Sequence, residues 1–350
     1  MDIALYKGGE SALEGRDDVL KLSANENPYG PNPAAIAAFQ AASGDLHRYP
    51  PTDHASLATA IAEVHGLEAE RIICGVGSDE IIHLLCQAYA GPETEVIHTR
   101  HGFAMYKISA LAAGATPVEA AESNRCVDVD AILAQVSDAT RLVFIANPAN
   151  PSGTMLGNNA LTQLADALPA HVMLVLDGAY AEFAEGYDGG AEFARTRSNV
   201  IMTRTFSKLY GLGGLRVGWA YGPEDVIDVL MRLRGPFNLS AAQLSAAEAA
   251  VRDRDWAEKA VDLNASERAR LQKALAALNI PSDRSHTNFV LARFADAKEA
   301  KAVDAHLREA GIIVRHVAGY GFPESLRITV GRPEDNDRVI ATLTAFKERA

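Results

Sequence analysis

Between about residue 70 and residue 221, short apolar runs alternate with segments that carry apolar residues at helical spacing. Most of the runs are apolar throughout their centre, as at residues 142–145 and 173–176. Strands that are buried on both faces of a sheet have this continuous apolar character. The pattern predicts seven strands, at residues 71–75, 94–99, 116–119, 141–146, 172–177, 200–203 and 217–221.

Two of the segments between these runs predict helices, because their apolar residues recur every three or four positions. The first helix begins at Ser78-Asp79-Glu80, and the second lies at residues 160–168. Their apolar faces contain Ile81, Ile82, Leu85, Ala88 and Tyr89 in the first and Ala160, Leu161, Leu164, Ala165 and Leu168 in the second. Strands that alternate with helices predict an α/β fold with a mostly parallel, seven-stranded sheet flanked by helices.

The pattern changes after Pro236. Residues 240–278 contain neither Gly nor Pro and predict one long or broken helix, which is followed by a smaller α+β unit. The predicted elements of that unit are a strand at 288–294, a helix at 298–310, strands around 312–315 and 326–330, and a final helix from Pro333. The first 30 residues show no periodicity and are predicted to form an arm over the surface. The expected domains are therefore an N-terminal arm at 1–30, a large domain at 31–238 and a small domain at 239–350.

Composition narrows the possible functions. Of the 350 residues, 48% are hydrophobic, so the chain can bury a substantial core and is not expected to be disordered. Its 33 basic and 45 acidic residues give a net charge of −12, which disfavours nucleic acid or an anionic membrane as a partner. No apolar run approaches the roughly 18 residues of a membrane span, and the first residues lack the pattern of a signal peptide. The three cysteines have no CxxC spacing, so neither a disulfide framework nor a metal site is expected, and the protein is predicted to be cytoplasmic.

Four polar side chains follow the ends of predicted strands. Lys208 comes after the strand at 200–203, and Asp177 closes the preceding strand, with Tyr180 three residues later. Asn150 follows the strand before that. Ligands of open α/β sheets bind outside the carboxyl ends of the strands, so these side chains are expected to meet there. An amine, a carboxylate, a phenol and an amide suit pyridoxal 5'-phosphate, whose aldehyde, ring nitrogen and phenolate oxygen need such partners.

The cofactor's phosphate would need a cradle of its own. Gly75-Val76-Gly77-Ser78-Asp79 joins a predicted strand to a helix, so its backbone N–H groups and the helix dipole could face an anion. The acidic residues at the start of that helix would repel a dianion, so a cation is also required. Arg216 can supply it, together with the hydroxyl groups of Thr205 and Ser207.

Several motifs, in this order along the chain, resemble those of the fold-type-I aminotransferases that depend on pyridoxal phosphate. They are Asn147-Pro148-Ala149-Asn150-Pro151-Ser152-Gly153, Asp177-Gly178-Ala179-Tyr180, Ser207-Lys208 and Gly214-Leu215-Arg216-Val217-Gly218. Motifs near the two ends are similar to those of the histidinol-phosphate aminotransferase subfamily. These are Leu22-Ser23-Ala24-Asn25-Glu26-Asn27-Pro28, Arg48-Tyr49-Pro50 and residues 320–331. The resemblance covers essentially the whole chain and implies the fold-type-I architecture with a smaller α+β C-terminal domain.

The resemblance also implies a role for each matching position. Lys208 would form the Schiff base, Asp177 would pair with the pyridine nitrogen, and Asn150 and Tyr180 would hold the phenolate oxygen, while Phe103 stacks on the ring. The residues implied at the cofactor phosphate are Gly77, Ser78, Thr205, Ser207 and Arg216, joined by Tyr49 from the second subunit of a homodimer, and Asp79 is also expected among the cofactor-binding residues. The residues implied for the substrate are Arg327 and Asn25 at its α-carboxylate and Tyr6 and Arg315 at its distal end. Core packing for Phe103 and a structural ion pair for Arg315 remain alternatives.

The implied reaction is a transamination between L-histidinol phosphate and 2-oxoglutarate, which gives imidazole acetol phosphate and glutamate. An aromatic-amino-acid aminotransferase and a cofactor-dependent decarboxylase of phosphorylated amino acids remain alternatives. A sensor domain of a transcription regulator is disfavoured, because the chain has no basic helix-turn-helix segment. Two positions depart from the family pattern: Gly178 stands where an acidic residue is common, and His101-Gly102 stands where Pro-Thr is common. The first is expected to alter the support of Asp177, and the second to loosen the loop before Phe103.

Overall fold

The computed structural model of the protein describes residue 3, residue 5 and residues 8–349. Tyr6, one of the predicted substrate-binding residues, lies outside the described residues.

The strands are β1 (Leu20–Lys21), β2 (Ile72–Gly75), β3 (Glu95–Thr99), β4 (Thr116–Ala120), β5 (Glu122–Ser123), β6 (Cys126–Val127), β7 (Thr140–Ala146), β8 (Met173–Asp177), β9 (Val200–Thr205), β10 (Gly218–Tyr221), β11 (Phe289–Arg293), β12 (Ile312–Ile313), β13 (Arg315–His316) and β14 (Ser325–Thr329). The helices are α1 (Pro33–Ala42), α2 (Ala55–His65), α3 (Gly77–Tyr89), α4 (Ala104–Ala112), α5 (Val129–Leu133), α6 (Asn158–Ala167), α7 (Ala191–Thr196), α8 (Glu224–Leu233), α9 (Ala241–Arg252), α10 (Arg254–Ala277), α11 (Ala297–Glu309) and α12 (Pro333–Arg349).

The central sheet has seven strands in the order β2-β10-β9-β8-β7-β3-β4, and the fold class predicted from the sequence is confirmed. Only β10 runs antiparallel to its neighbours, while the pairs between β3, β4, β7, β8 and β9 are parallel. Each of the seven predicted strands is present, with ends within two residues of the prediction. Apolar pattern alone located these strands because both faces of the sheet are covered.

The two faces of this sheet carry separate apolar layers. Along β8, Leu174 and Leu176 point to the layer that also contains residues of α2, α6, α7 and α9. The alternate residues Met173 and Val175 point to the layer under α3, α4 and α8. Successive side chains of a strand face opposite sides, so a continuous apolar run is required wherever helices cover both.

A smaller unit follows the central sheet in the chain. It consists of an antiparallel sheet in the order β11-β14-β13 and an apolar cluster with residues from α10, α11 and α12. The long helix predicted for residues 240–278 is broken, because Asp253 ends α9 and caps α10 through a hydrogen bond from the Trp256 N–H at 3.2 Å. The predicted domain boundaries at 30/31 and 238/239 stay predictions.

The N-terminal segment differs from the surface arm that the sequence indicated. β1 pairs in parallel with β12, and Leu22 is buried in the apolar cluster of the smaller unit. Ser23 and Asn25 are each 1% exposed. Residues 20–25 of this segment therefore belong to the packed structure between the smaller unit and the central sheet, whereas residues 8–19 are exposed or half-buried. None of the helices in the described part of the chain is long and apolar enough to cross a membrane.

Candidate active site

One cavity lies at the carboxyl ends of β7, β8 and β9, where the smaller unit faces the central sheet. Thirteen of the residues predicted from the sequence line it: Asn25, Ser78, Asp79, Phe103, Asn150, Asp177, Tyr180, Thr205, Ser207, Lys208, Arg216, Arg315 and Arg327. The strand register explains part of this gathering, because Ala146 pairs with Asp177, and Asp177 with Thr203. The polar residues that follow these strands therefore meet at one edge of the sheet.

Lys208 lies three residues beyond the end of β9, and its amine faces the cavity. Its Nζ donates a hydrogen bond to the Ala24 carbonyl at 3.1 Å. Burial, followed by the positive charge of Arg327, lowers the pKa of Lys208 to about 8. An amine with this pKa is unprotonated far more often near neutral pH than an ordinary lysine, which suits attack on an aldehyde.

Asp177 is the last residue of β8 and is 4% exposed. Burial raises the pKa of its carboxyl group, and the hydrogen bond from Tyr106 opposes this rise. The Tyr106 hydroxyl donates to Oδ2 at 2.6 Å, and the Ala179 N–H donates to Oδ1 at 3.1 Å. A buried carboxylate that already accepts two donors is suited to hold a cationic group such as a protonated ring nitrogen.

Tyr106 was missed in the sequence, although it fixes Asp177. Its ring is fully buried, stacks on Phe144 with centroids 5.0 Å apart, and lies edge-on to Phe103 at 5.8 Å. A buried tyrosine hydroxyl needs a partner, and a buried strand-end carboxylate needs donors. That mutual need is the signal that could have linked the two residues before the structure was known.

A second polar network lines the cavity on the side of the smaller unit. The Asn25 amide donates to the Tyr180 hydroxyl at 2.9 Å. Arg327 contacts the Asn150 side-chain oxygen and donates to the Ser23 carbonyl at 3.0 Å. Arg327 is 6% exposed, and among the described residues its Nε finds no hydrogen-bond partner. An orphaned donor on a buried cation is the arrangement that an anionic ligand would satisfy.

The predicted phosphate cradle forms where β2 leads into α3. Gly77 has φ +74°, and a Cβ there would lie 2.4 Å from Nη2 of Arg216. Arg216 donates to the Ser207 hydroxyl at 3.0 Å and pairs with Asp79 at 2.8 Å. The helix N-terminus and this guanidinium thus converge, while Asp79 orients Arg216. Gly77 itself is not among the residues that line the cavity, although it touches Arg216.

The remaining sequence predictions have different outcomes. Arg315 lines the cavity and bonds the Gly8 carbonyl, whereas Tyr49 lies outside it, 81% exposed and tilted against Phe237 with ring centroids 4.4 Å apart. The cavity-lining residues that sequence reasoning missed, besides Tyr106, are Gly8, Gly9, Ser23, Ala24, Ala146, Ala179 and Tyr320. Most of these contribute backbone or small side chains, which leave no chemical signature in a sequence.

The two departures from the family pattern have structural explanations. A Cβ on Gly178 would lie 3.1 Å from Arg204 Cδ and from the Thr203 carbonyl, so the buried Arg204 side chain occupies this space. The expectation that His101-Gly102 loosens the loop before Phe103 stays a prediction, but the His101 side chain has partners in the smaller unit. His101 stacks on Phe322 with ring centroids 4.0 Å apart, and its Nδ1 bonds a carbonyl of the smaller unit.

The Tyr106→Phe variant tests the support of Asp177. Without the phenol donor, the pKa of Asp177 should rise further, and affinity for the expected pyridoxal phosphate should fall about tenfold, equivalent to one charge-assisted hydrogen bond. Fluorescence titration of the cofactor-free protein measures this affinity. Tyr221→Phe is the matched control, because its hydroxyl bonds Glu68 away from the cavity. Equal losses in both variants, or none in Tyr106→Phe, would contradict the assignment.

Comparison with known proteins agrees with this geometry. The family model for aminotransferase class I and II matches residues 17–343. Proteins named histidinol-phosphate aminotransferase from Jannaschia sp. and Dinoroseobacter shibae are 63% and 64% identical, over 99% and 100% of this chain and 96% and 97% of their own length. The crystal structure of histidinol-phosphate aminotransferase from Sinorhizobium meliloti in complex with pyridoxal-5'-phosphate covers 94% of this chain and 91% of its own, with a TM-score of 0.89 and 28% identity. A strand-end lysine and carboxylate that share one cavity, together with a match over nearly the full length, mean that the chain belongs to the class I and II aminotransferase family.

Proposed function

We propose that this protein transfers an amino group between L-histidinol phosphate and 2-oxoglutarate, giving imidazole acetol phosphate and glutamate, with pyridoxal 5'-phosphate as its cofactor. The observation that carries the proposal is the meeting of the Lys208 amine and the Asp177 carboxylate in one cavity that also holds three arginines. The 63–64% identity to proteins named for this reaction supports the choice of substrate.

The cavity fits the cofactor group by group. Asp177 would hold the ring nitrogen, Asn150 and Tyr180 the phenolate oxygen, and Phe103 one face of the ring. Gly77, Ser78, Thr205, Ser207 and Arg216 form the site proposed for the phosphate, and Asp79 orients Arg216 through their ion pair. When bound, pyridoxal phosphate supplies an aldehyde for amines and a ring that withdraws electrons from the substrate carbon.

Lys208 has two tasks in this proposal. Its amine would bind the aldehyde, and once a substrate amine had displaced it, Nζ would carry the proton from the substrate Cα to the carbon that had been the cofactor's aldehyde carbon. A pKa of about 8 allows Nζ to accept and release a proton near neutral pH. The Tyr180 ring centroid lies 5.7 Å from Nζ, and the Tyr180 hydroxyl accepts a hydrogen bond from the Asn25 amide.

Arg327, with Asn25, would bind the α-carboxylate of an amino-acid substrate such as glutamate, and Arg315 would bind the anionic group at the distal end. These guanidinium groups suit the phosphate of histidinol phosphate as well as the carboxylates of glutamate, because both ligands accept charge-assisted hydrogen bonds. The chain's net charge of −12 repels such substrates at long range, so the local cations must provide the attraction.

We also propose that two copies of the chain form a homodimer in which Tyr49 reaches the cofactor phosphate of the partner subunit. Exposed apolar side chains support it, among them Ile36, Phe39, Leu46, Tyr49 and Phe237. Ile36 and Phe39 line a surface groove with Leu212 and Leu215, which follow Lys208 in the chain. Sedimentation should give twice the 37.3 kDa chain mass, and a monomer would contradict the dimer. The cytoplasmic location stays a prediction.

Substrate choice separates the proposed reaction from that of an aromatic-amino-acid aminotransferase. The holoenzyme should convert histidinol phosphate with kcat/KM on the order of 100-fold above that for phenylalanine, because only the former offers a dianion to the arginines. Coupled assays of both amino donors measure this ratio. Equal turnover, or a preference for phenylalanine, would contradict the proposal, and carbon dioxide release would identify a decarboxylase instead.

A pair of arginine variants refines this test. Arg315→Gln should lower kcat/KM for histidinol phosphate about 10- to 100-fold by removing a charge-assisted bond. Arg332→Gln should not, although Arg332 also donates to a carbonyl of the N-terminal segment, that of Pro28 at 2.9 Å. Identical results for the two variants would remove Arg315 from the substrate site.

The rate of cofactor uptake should follow the protonation of Lys208. Only the neutral amine attacks an aldehyde, so uptake of pyridoxal phosphate by the cofactor-free protein should rise with pH and level off above about 8. Arg327→Met removes a positive charge that lowers this pKa, so the plateau should move to higher pH. Arg332→Met is the control, and stopped-flow absorbance gives the rates. A shift in both variants, or in neither, is inconsistent with this assignment.

A further inference from the structure

His101 bridges the central-sheet part and the smaller unit at the mouth of the cavity. It lies between β3 and α4, whereas its partners Tyr320, Gly321 and Phe322 lie in the turn between β13 and β14. We call these four residues the mouth contact. The His101 ring stacks on Phe322 with centroids 4.0 Å apart and planes 30° from parallel. Its Nδ1 bonds the Tyr320 carbonyl, which can only accept, so this nitrogen carries the proton.

The mouth contact depends on a glycine. Gly321 has φ +86°, and a Cβ there would lie 2.8 Å from both Cε1 and Nδ1 of His101. Any larger residue would therefore push the imidazole out of its stack as well as strain the backbone. The His101 ring can therefore lie this close to the backbone only because residue 321 has no side chain.

Both sides of the mouth contact are ordered by their own units. On one side, the His101 N–H donates to Glu122 at 3.2 Å. On the other side, the Tyr320 N–H donates to the Val317 carbonyl at 2.9 Å, and Phe322 is 6% exposed in a cluster with Leu291 and Val317. The imidazole thus joins two segments, each of which also has contacts within its own unit.

The mouth contact adjoins the residues that line the cavity. His101 itself does not line it, but Phe103, two residues later, and Tyr320 do. The turn of Tyr320 connects β13, which begins at Arg315, to β14, which contains Arg327, and these two arginines are paired across the strands. A displacement of the turn would consequently change the distance between the face proposed for the cofactor ring and the wall proposed for the substrate.

We propose that His101 is a positioning residue for substrate binding. It raises substrate affinity by holding the turn of Tyr320, in the smaller unit, at a fixed position relative to Phe103, in the central-sheet part. The inference rests on the proposed function and extends it, because it assigns part of the affinity for histidinol phosphate to a residue that does not touch the ligand. When His101 holds the Tyr320 turn in place, substrate binding does not have to order that turn. Without His101, part of the binding free energy would be spent on ordering the turn.

The effect should appear in KM rather than in kcat. His101→Ala should raise KM for histidinol phosphate about tenfold, the value of one hydrogen bond and a ring contact, while kcat changes less than about threefold. His101→Phe keeps a ring for the stack but loses the donor, so its KM should be intermediate. Gly321→Ala should resemble His101→Ala, because it displaces the same imidazole from the opposite side.

His316→Ala is the matched control. His316 also bonds a carbonyl of this turn, that of Pro323 at 2.8 Å. It belongs to the smaller unit, and among the described residues no hydrogen bond or ring contact joins its side chain to the central-sheet part. Its KM should equal that of the unchanged protein. A tenfold rise in both histidine variants would show that general order of the turn matters and would overturn the proposal, as would an unchanged KM in His101→Ala.

Amide hydrogen exchange of the holoenzyme gives a readout that does not depend on turnover. The amides of residues 317–322 should exchange faster in His101→Ala and at the normal rate in His316→Ala, with α3 and β8 protected in both. Unchanged exchange in His101→Ala would overturn the mouth contact. If the unchanged holoenzyme converts no histidinol phosphate, the proposed function fails, and this exchange experiment then decides the mouth contact by itself.

Discussion

The cavity concentrates positive charge in a protein whose net charge is −12. Lys208, Arg216, Arg315 and Arg327 all line it, against the two acidic side chains Asp79 and Asp177. Cations that are held close together and away from water destabilise one another, and the lowered pKa of Lys208 is the consequence, with burial as its first cause and Arg327 as its second. Bound anions would stabilise this arrangement. A cofactor phosphate beside Arg216 and a substrate anion beside Arg327 would do so, and the lysine is left as the group that can lose its proton.

The backbone register of the central sheet brings the residues of this charge cluster together. Parallel strands bring Asp177 and the end of β9 to one edge of the sheet, and the antiparallel β10 passes so close to the start of α3 that a Cβ on Gly218 would lie 2.3 Å from the Ser78 nitrogen. These contacts explain why the start of α3 and the turn that contains Lys208 lie on the same side of the cavity. They also explain why much of the site could be predicted from the sequence. A buried parallel strand is recognisable by its apolar run, and the polar residues at its carboxyl end indicate a ligand site.

Other parts of the site gave no such signal. β1 pairs with β12 over only two residues, and this short ladder, which no periodicity reveals, brings Asn25 to Tyr180 and the Ala24 carbonyl to Lys208. His101 was interpreted as a loosening substitution, and the partners of its side chain, Tyr320 and Phe322, lie 219 residues or more further along the chain. Tyr106 was hidden in an apolar helix face. In each case the missing information was a contact between distant segments, which depends on how whole units pack and not on local residue pattern.

The central claim is that Lys208 and Asp177 serve the same cofactor ring. The most direct measurement is to reduce the holoenzyme with borohydride, which fixes a Schiff base to its amine, and to map the modified peptide by mass spectrometry. The account predicts a single pyridoxyl group, on Lys208, and loss of that labelling when Asp177→Ala weakens binding of the ring. A label on another lysine, or no label on a protein saturated with pyridoxal phosphate, would contradict it.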